Sequence, residues 1–226
     1  MKWITKLFTS SIGKKLVMSL TGIFLILFLI VHLVGNLQLL SNDGGESFNI
    51  YAKFMTSNPL IKTVSYGLYL FIVLHTIQGI VLLLQNRSAK KSRYAVKTNQ
   101  NASWASRNMG PLGIIIFVFI VIHMVQFWFK MKTGALDMVE YAGQDAVNDL
   151  YTPVYEAFKN IYFVIFYVVS MLVIAFHLNH GFQSAFQSLG LNHKKYTPFI
   201  KSLGKIYSIL VPLGFAIIPV WFYFFK

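Results

Sequence analysis

The sequence predicts an all-α membrane protein, a bundle of five transmembrane helices forming one domain over residues 1–226. Three observations carry the prediction. Hydrophobic residues make up 56% of the chain and charged ones 12%, a balance too apolar for a soluble domain to solvate its surface. Five stretches, 16–40, 61–85, 111–131, 160–187 and 203–225, are long enough as helices to cross a hydrocarbon layer of ~30 Å. The connections between them hold nearly all the charges.

The first stretch follows Lys14 and Lys15, as a signal sequence would. It is too long for one and no small-residue cleavage pattern follows, so it reads as a retained anchor. Pro59, Pro111, Pro153 and Pro198 fall near helix starts or in the loops before them, where a missing N–H does least harm. The fourth stretch is expected to end at Gly190, and segment 133–152 reads as a solvated outer loop with room for a short surface helix. The last stretch is bent by Pro212 and Pro219 and ends in Trp221, Phe222, Tyr223, Phe224 and Phe225, which suits an interfacial aromatic belt. It reads as a packing helix against lipid or a partner subunit.

Charge gives the bundle a direction. With a cytoplasmic N terminus and an outer C terminus, Lys2, Lys6, Lys14, Lys15, Arg87, Lys90, Lys91, Arg93, Lys97, Arg107, Lys194, Lys195, Lys201 and Lys205 lie inside, 14 of the 20 basic residues. All seven acids lie outside. The basic bias obeys the positive-inside rule, so the net charge of +13 records membrane orientation rather than nucleic-acid binding. Cysteine is absent, which removes disulfides and cysteine-ligated iron–sulfur clusters from this polypeptide. Any such cluster belongs to a partner.

His32, His75, His123 and His177 each sit inside a different apolar stretch. An ionisable side chain there needs a partner, a wet cavity or a metal, which makes it a functional candidate. His32 lies 17 residues from Lys15 and His123 lies 16 from Arg107, ~25 Å from the inner end at helical rise. His75 is 12 residues from Arg87 and His177 is 13 from Gly190, ~18 to 20 Å by the same rise. The depths pair His32 with His123 in an outer layer and His75 with His177 in an inner one. Two pairs of axial imidazoles are what two buried b haems require, and bis-imidazole ligation suits electron transfer rather than oxygen binding. His180, three residues beyond His177 and roughly on its face, is the alternative ligand or a hydrogen-bond donor to a propionate or quinone. Gly79 and Gly181 each follow a histidine by four residues and give a macrocycle room. Close helix packing explains Gly22, Gly35, Gly79, Gly113 and Gly181 equally well, and the sequence holds no repeat beyond H-x-x-x-G.

An ordered set of motifs runs along nearly the whole chain: S-x-x-G then H-L-V-x-N (Ser19, Gly22, His32, Leu33, Val34, Asn36), F-M-x-S-x-P (Phe54, Met55, Ser57, Pro59), H-x-x-x-G (His75, Gly79), R-x-x-G (Arg107, Gly110) and H-x-x-x-G-x-x-S-x-x-x-x-x-G (His177, Gly181, Ser184, Gly190). In this it resembles the cytochrome b membrane subunit of succinate:quinone oxidoreductases (succinate dehydrogenase and fumarate reductase), in the single-chain, five-helix, two-haem form. The resemblance implies a bacterial cytoplasmic membrane protein in a respiratory chain. Two b haems would relay electrons between a cytoplasmic iron–sulfur subunit, itself served by a flavoprotein, and menaquinone near the outer haem, in a complex that can form higher oligomers. It favours His177 over His180 as ligand and places Ser19 near the inner haem's propionates, with Trp104 and Arg107 as further cofactor-side residues. Ala175 stands where some fumarate-reducing relatives carry a proton-moving glutamate, which tilts the expected direction toward succinate oxidation. Asp43 and Glu46 are candidate proton acceptors at the outer end. The competing readings are a cytochrome b anchor of a hydrogenase or formate dehydrogenase, and a histidine-relay transporter, which fits poorly with spans lacking paired broken helices.

Overall fold

The computed structural model describes residues 9–89, 104–143 and 145–226. Lys2, Lys6, Lys90, Lys91, Arg93 and Lys97, counted above for orientation, lie outside the described residues. In chain order the elements are α1 (Ser11–Leu37), a 3₁₀ turn (Gln38–Leu40), α2 (Glu46–Ser57), α3 (Pro59–Ala89) and α4 (Trp104–His123). A π-helical turn (Met124–Phe129) and a last helical turn (Lys130–Lys132) prolong α4. There follow β1 (Met138–Val139), β2 (Val147–Asn148), α5 (Tyr151–Phe158), α6 (Ile161–Ser188) and α7 (Thr197–Phe225). The α1, α3, α4, α6 and α7 segments are each long and apolar enough to cross a membrane, so the chain is a multi-pass helical membrane protein.

Most of each spanning window stays unburied within the chain, at best a third being covered. Exposed Leu27, Val34, Ile77, Leu84, Phe176 and Leu213 form outer faces that only hydrocarbon solvates.

Four helices start earlier than their apolar stretches: α1 by five residues, α3 by two, α4 by seven and α7 by six. Apolarity marks what lies in hydrocarbon, whereas the helix begins where its first N–H groups find acceptors. Ser10 accepts from Gly13 N at 3.1 Å, Asn58 from Leu60 N at 3.0 Å, and Asn160 from Tyr162 N at 2.9 Å. Pro111 is thereby corrected from a helix start to a helix interior, two turns into α4. At the end of α6, Ser188 rather than Gly190 is the last helical residue. Gly190 follows in the left-handed region (φ 77°), its N–H bonded to Gln187 O and that of Leu191 to Phe186 O, a Schellman close.

Helices α1, α3, α4 and α6 alternate in direction and pack as a ring: α1 on α3, α3 on α4, α4 on α6, α6 on α1. The diagonal pairs, α1 with α4 and α3 with α6, run parallel and are not among the main helix contacts. This is an up-down four-helix bundle, whose interior is where facing helices build cofactor sites. Helix α7 lies outside the ring against α6 and α1, tied to α1 by Tyr207 Oη donating to Ile26 O at 2.6 Å.

The acid-bearing end carries more structure than its sequence promised. Helix α2 fills what read as a plain connection, and segment 133–152 forms a two-stranded hairpin, Met138 opposite Asn148 and Val139 opposite Val147, leading into α5. Asn49, 1% exposed, clasps these pieces. Its Oδ1 accepts from Leu150 N and Tyr151 N at 3.0 Å each, and its Nδ2 donates to Tyr141 Oη at 2.9 Å and Asp149 Oδ1 at 3.1 Å. Beneath the clasp, fully buried Phe222 of α7 packs on Tyr151, Tyr155 and Phe158.

Candidate functional site

The rings of His32 and His123 lie 5.9 Å apart between centroids, and those of His75 and His177 lie 6.3 Å apart. These are the partners that the depth count pairs. Each pair reaches across a diagonal of the bundle, α1 to α4 and α3 to α6, so the four rings occupy the interior at two levels. All four histidines are half-buried. His180 is half-buried on α6 and meets no other ring among the described residues.

The spacing between levels can be read from two glycines. A Cβ on Gly22 of α1 would stand 3.4 Å from His75 Cε1, and one on Gly113 of α4 would stand 3.9 Å from His177 Cε1. Each glycine lies ten residues before the histidine of its own helix, His32 or His123, so the two levels are ~15 Å apart along the bundle.

Glycines divide into two kinds on this evidence. Gly35, Gly110, Gly204 and Gly214 are packing glycines, their missing side chains replaced by Tyr51, Leu83, Phe182 and Leu33. Gly22 and Gly113 instead face histidine rings, while Gly79 and Gly181 are met only by thioether ends, Met18 Cε at 3.4 Å and Met109 Cε at 4.0 Å. Gly22 and Gly113 thus cradle rings, a role the sequence alone left undivided from packing. The signal was present as a repeat that the sequence reading missed: M-x3-G-x9-H occurs in α1 (Met18, Gly22, His32) and again in α4 (Met109, Gly113, His123). With H-x-x-x-G in α3 and α6, the ring is built as two like halves.

Second partners of the imidazoles differ from ring to ring. His75 Nδ1 is 3.0 Å from Thr21 Oγ1, and His123 Nδ1 is 3.2 Å from Tyr167 Oη, which donates to Gln126 Oε1 at 2.7 Å. Asn36 Nδ2 approaches His32 Nδ1 at 3.3 Å while donating to His32 O at 2.8 Å. His177 Nδ1 is buried without a partner among the described residues, as is Gln78 Oε1. Aromatic rings wall the outer pair: Phe28 stacks on His32 at 5.1 Å, Phe119 on His123 at 5.8 Å, and Phe215 stands 5.5 Å from His32. Through Phe215, α7 lines the outer pair as well as packing.

The other expected residues are spread around the inner level. Ser19 is buried and donates to Lys15 O at 2.8 Å. Trp104, exposed, opens α4 with its ring 5.4 Å from Phe176. Arg107 is exposed on α4, six residues before Gly113.

This donor set suits a group that brings its own equatorial ligands. Among the described residues no three His, Asp or Glu side chains gather around one point, which a bare divalent ion would require. An imidazole nitrogen bonds a first-row metal at about 2 Å with its ring centroid about 1 Å behind, so two rings holding one metal stand ~6 Å apart. Both pairs meet that spacing, and the cradle glycines supply room beside them. A b-type haem fits the residues present.

At the acid-bearing end an open groove of about 720 Å³ is lined by Gln38, Asp43, Glu46, Ser47, Ile50 and Tyr51. Asp43 caps α2, accepting from Gly45 N and Ser47 N at 3.0 Å each and from the Ser47 hydroxyl. Partial burial pushes its carboxyl up, but the bonds from Ser47 and Gly45 outweigh this and hold it below the usual carboxylate range. Among the described residues Glu46 has no such partner and is the freer carboxylate on that wall. No protein-family model, curated protein or solved structure matches the chain.

Proposed function

We propose that the chain is a di-haem cytochrome b membrane anchor. It would pass electrons between a cytoplasmic iron–sulfur subunit and menaquinone in a succinate:quinone oxidoreductase of the bacterial cytoplasmic membrane, working toward succinate oxidation. The observation that carries this reading is the pair of diagonal ring contacts, His32 with His123 at 5.9 Å and His75 with His177 at 6.3 Å. Four imidazoles from four helices, meeting two by two at metal-bridging distance, have no comparable use in a packing core.

His75 and His177 would hold the inner haem, and His32 and His123 the outer one. When bound, each haem supplies one-electron chemistry at iron. The chain's part would be to offer two imidazoles to each group, keep small ligands away, hold the two histidine levels ~15 Å apart, and exclude water from the outer pair with Phe28, Phe119 and Phe215. Arg107 stands on the basic side, where a propionate would find a donor, and Ser19 would serve one there by turning its hydroxyl from Lys15 O. The open groove beside Glu46 would admit a quinone headgroup at the outer end, and the Glu46 carboxylate would accept or hold a proton there. Absence of cysteine fits a chain that leaves clusters to its partner.

A pyridine haemochrome assay on the purified chain is expected to give two b haems per polypeptide. His75→Ala and His177→Ala should each remove the inner haem, and His32→Ala and His123→Ala the outer one. His180→Ala should keep both. A folded, colourless preparation, or full haem content in any of the four ligand variants, refutes the assignment. Copurification of a flavoprotein and an iron–sulfur protein separates this complex from a hydrogenase or formate dehydrogenase anchor.

A further inference from the structure

The two ring pairs share a feature that the ligand assignment alone does not explain: in each, one imidazole is anchored by a hydroxyl oxygen and its partner is not. Thr21 Oγ1 has a single hydrogen, and it lies 2.8 Å from Val17 O on its own helix. Having donated there, the oxygen faces His75 Nδ1 at 3.0 Å as an acceptor, beside the Met18 backbone, which is a second hydrogen-bond partner of this ring. Tyr167 likewise donates its hydrogen to Gln126 Oε1 at 2.7 Å, so toward His123 Nδ1, at 3.2 Å, it too accepts. Both contacts put the proton of a neutral imidazole on Nδ1 and leave the lone pair on Nε2.

The partner rings lack this arrangement. The group nearest His32 Nδ1 is the Asn36 amide nitrogen, a donor that cannot take a proton from it. Among the described residues, His177 Nδ1 is buried with no partner. The repeat explains the second case: Thr21 immediately precedes the cradle glycine Gly22, and the residue preceding Gly113 is Leu112, 5% exposed and without a polar atom. One half of the bundle has a hydroxyl where the other has a methyl-bearing chain.

We propose that Thr21 and Tyr167 are positioning residues, one for each ring pair, that fix the Nδ1–H tautomer and orientation of His75 and His123 and thereby set the reduction potentials of the two groups separately. This rests on the haem reading above. Gln126 belongs to the same device, because donating to it makes the Tyr167 oxygen a better acceptor. It sits in the π-helical turn directly after His123, a feature common at functional sites. The turn is braced on its other side by Trp128 Nε1 donating to Tyr69 Oη at 2.8 Å. A hydrogen bond from Nδ1–H raises the basicity of a ligating imidazole, which favours the oxidised metal, so its loss raises the potential.

The test is potentiometric titration of the purified chain, with each haem assigned through the His75→Ala and His32→Ala spectra. Thr21→Val, which keeps the shape and removes the hydroxyl, should raise the inner potential alone. Tyr167→Phe should raise the outer potential alone. Each change should be about tenfold in the one-electron equilibrium, the low end for outer-shell partners of a metal ligand, or about 59 mV. Leu112→Thr, which offers His177 the acceptor it lacks, should lower the inner potential. Two haems at unchanged potentials in Thr21→Val or Tyr167→Phe, or a shift in the group at the other level, overturns the proposal. A second readout does not need haem: in the ¹⁵N-imidazole-labelled apoprotein, His75 and His123 should be Nδ1–H tautomers, and that preference should weaken in Thr21→Val, where the Met18 backbone remains, and be lost in Tyr167→Phe. Parent and variant tautomers that are alike overturn the positioning role even if the chain binds no haem, whereas a haem-free chain with the expected tautomers overturns only the haem reading.

Discussion

Replacing Gly22 with leucine tests the cradle directly. A Cβ at this position stands 3.4 Å from His75 Cε1 and 3.9 Å from His75 Nδ1, so it would already touch the ring. Leucine adds three further carbons, and some of them must displace the imidazole or leave their own rotamer wells. Overpacking of this kind costs about 1–3 kcal/mol. At 1.4 kcal/mol per factor of ten, the inner site should lose haem affinity by roughly 5- to 150-fold while the outer site keeps its own. Two controls isolate the cause. Alanine at Gly22 adds only the touching carbon and gains up to ~1 kcal/mol of helix propensity, so both haems should remain. Leucine at Gly67, where nothing lies within 4 Å, should be neutral. The assay is haem per polypeptide from reduced-minus-oxidised spectra during haem titration of the detergent-solubilised chain. Equal occupancy of both sites in Gly22→Leu and parent would refute the cradle, as would loss of the outer haem alone.

Asn49→Ala should destabilise the acid-bearing end by about 2–3 kcal/mol, since it strands the buried N–H groups of Leu150 and Tyr151; thermal melts in detergent check this, and an unchanged midpoint rejects the clasp. Acid should weaken the same region. Burial pushes the Asp149 carboxyl up, but bonds from Thr152, Asn49 and Tyr151 hold it below its ordinary value of 3.8, as Ser47 and Gly45 do for Asp43. A depressed carboxylate stabilises the fold above its unfolded value and loses that contribution as pH falls through the folded one. Stability should therefore be flat above pH ~5 and decline below pH ~4, and Asp149→Asn should lessen the decline; a decline of the same size in that variant contradicts the assignment.

The spans were legible because each is an unbroken apolar run long enough for a membrane. Several of their true starts were not: a Ser10 cap carries α1, and polar segments 104–110 and 197–202 carry α4 and α7, into helix that mean hydropathy does not register. Helix α2 was missed for a related reason: its sequence is polar enough to read as a connection, and its start depends on Gly45 in the left-handed region (φ 94°) with Asp43 folded over it. The histidine pairs could be ordered by counting residues from charged ends, a one-dimensional measure that helical rise makes meaningful. Tyr167 and Gln126 could not be found that way, since they lie 44 and 3 residues from His123 and meet it only through packing. Gly22 and Gly113 carried a signal in their common distance from His32 and His123, but glycines serve helix packing so often that the spacing alone did not separate the two uses.

The diagonal placement of the rings constrains how the protein is made. No hairpin of consecutive helices contains a complete pair: His32 must wait 91 residues for His123, and His75 must wait 102 for His177. As the ribosome feeds helices into the bilayer one after another, α1 and α3 each enter with a lone imidazole facing a still-unformed interior. The outer grip closes when α4 arrives, the inner one only after α6. On the haem reading, loading during biogenesis would have a built-in order, with the His32–His123 pair complete before the His75–His177 pair.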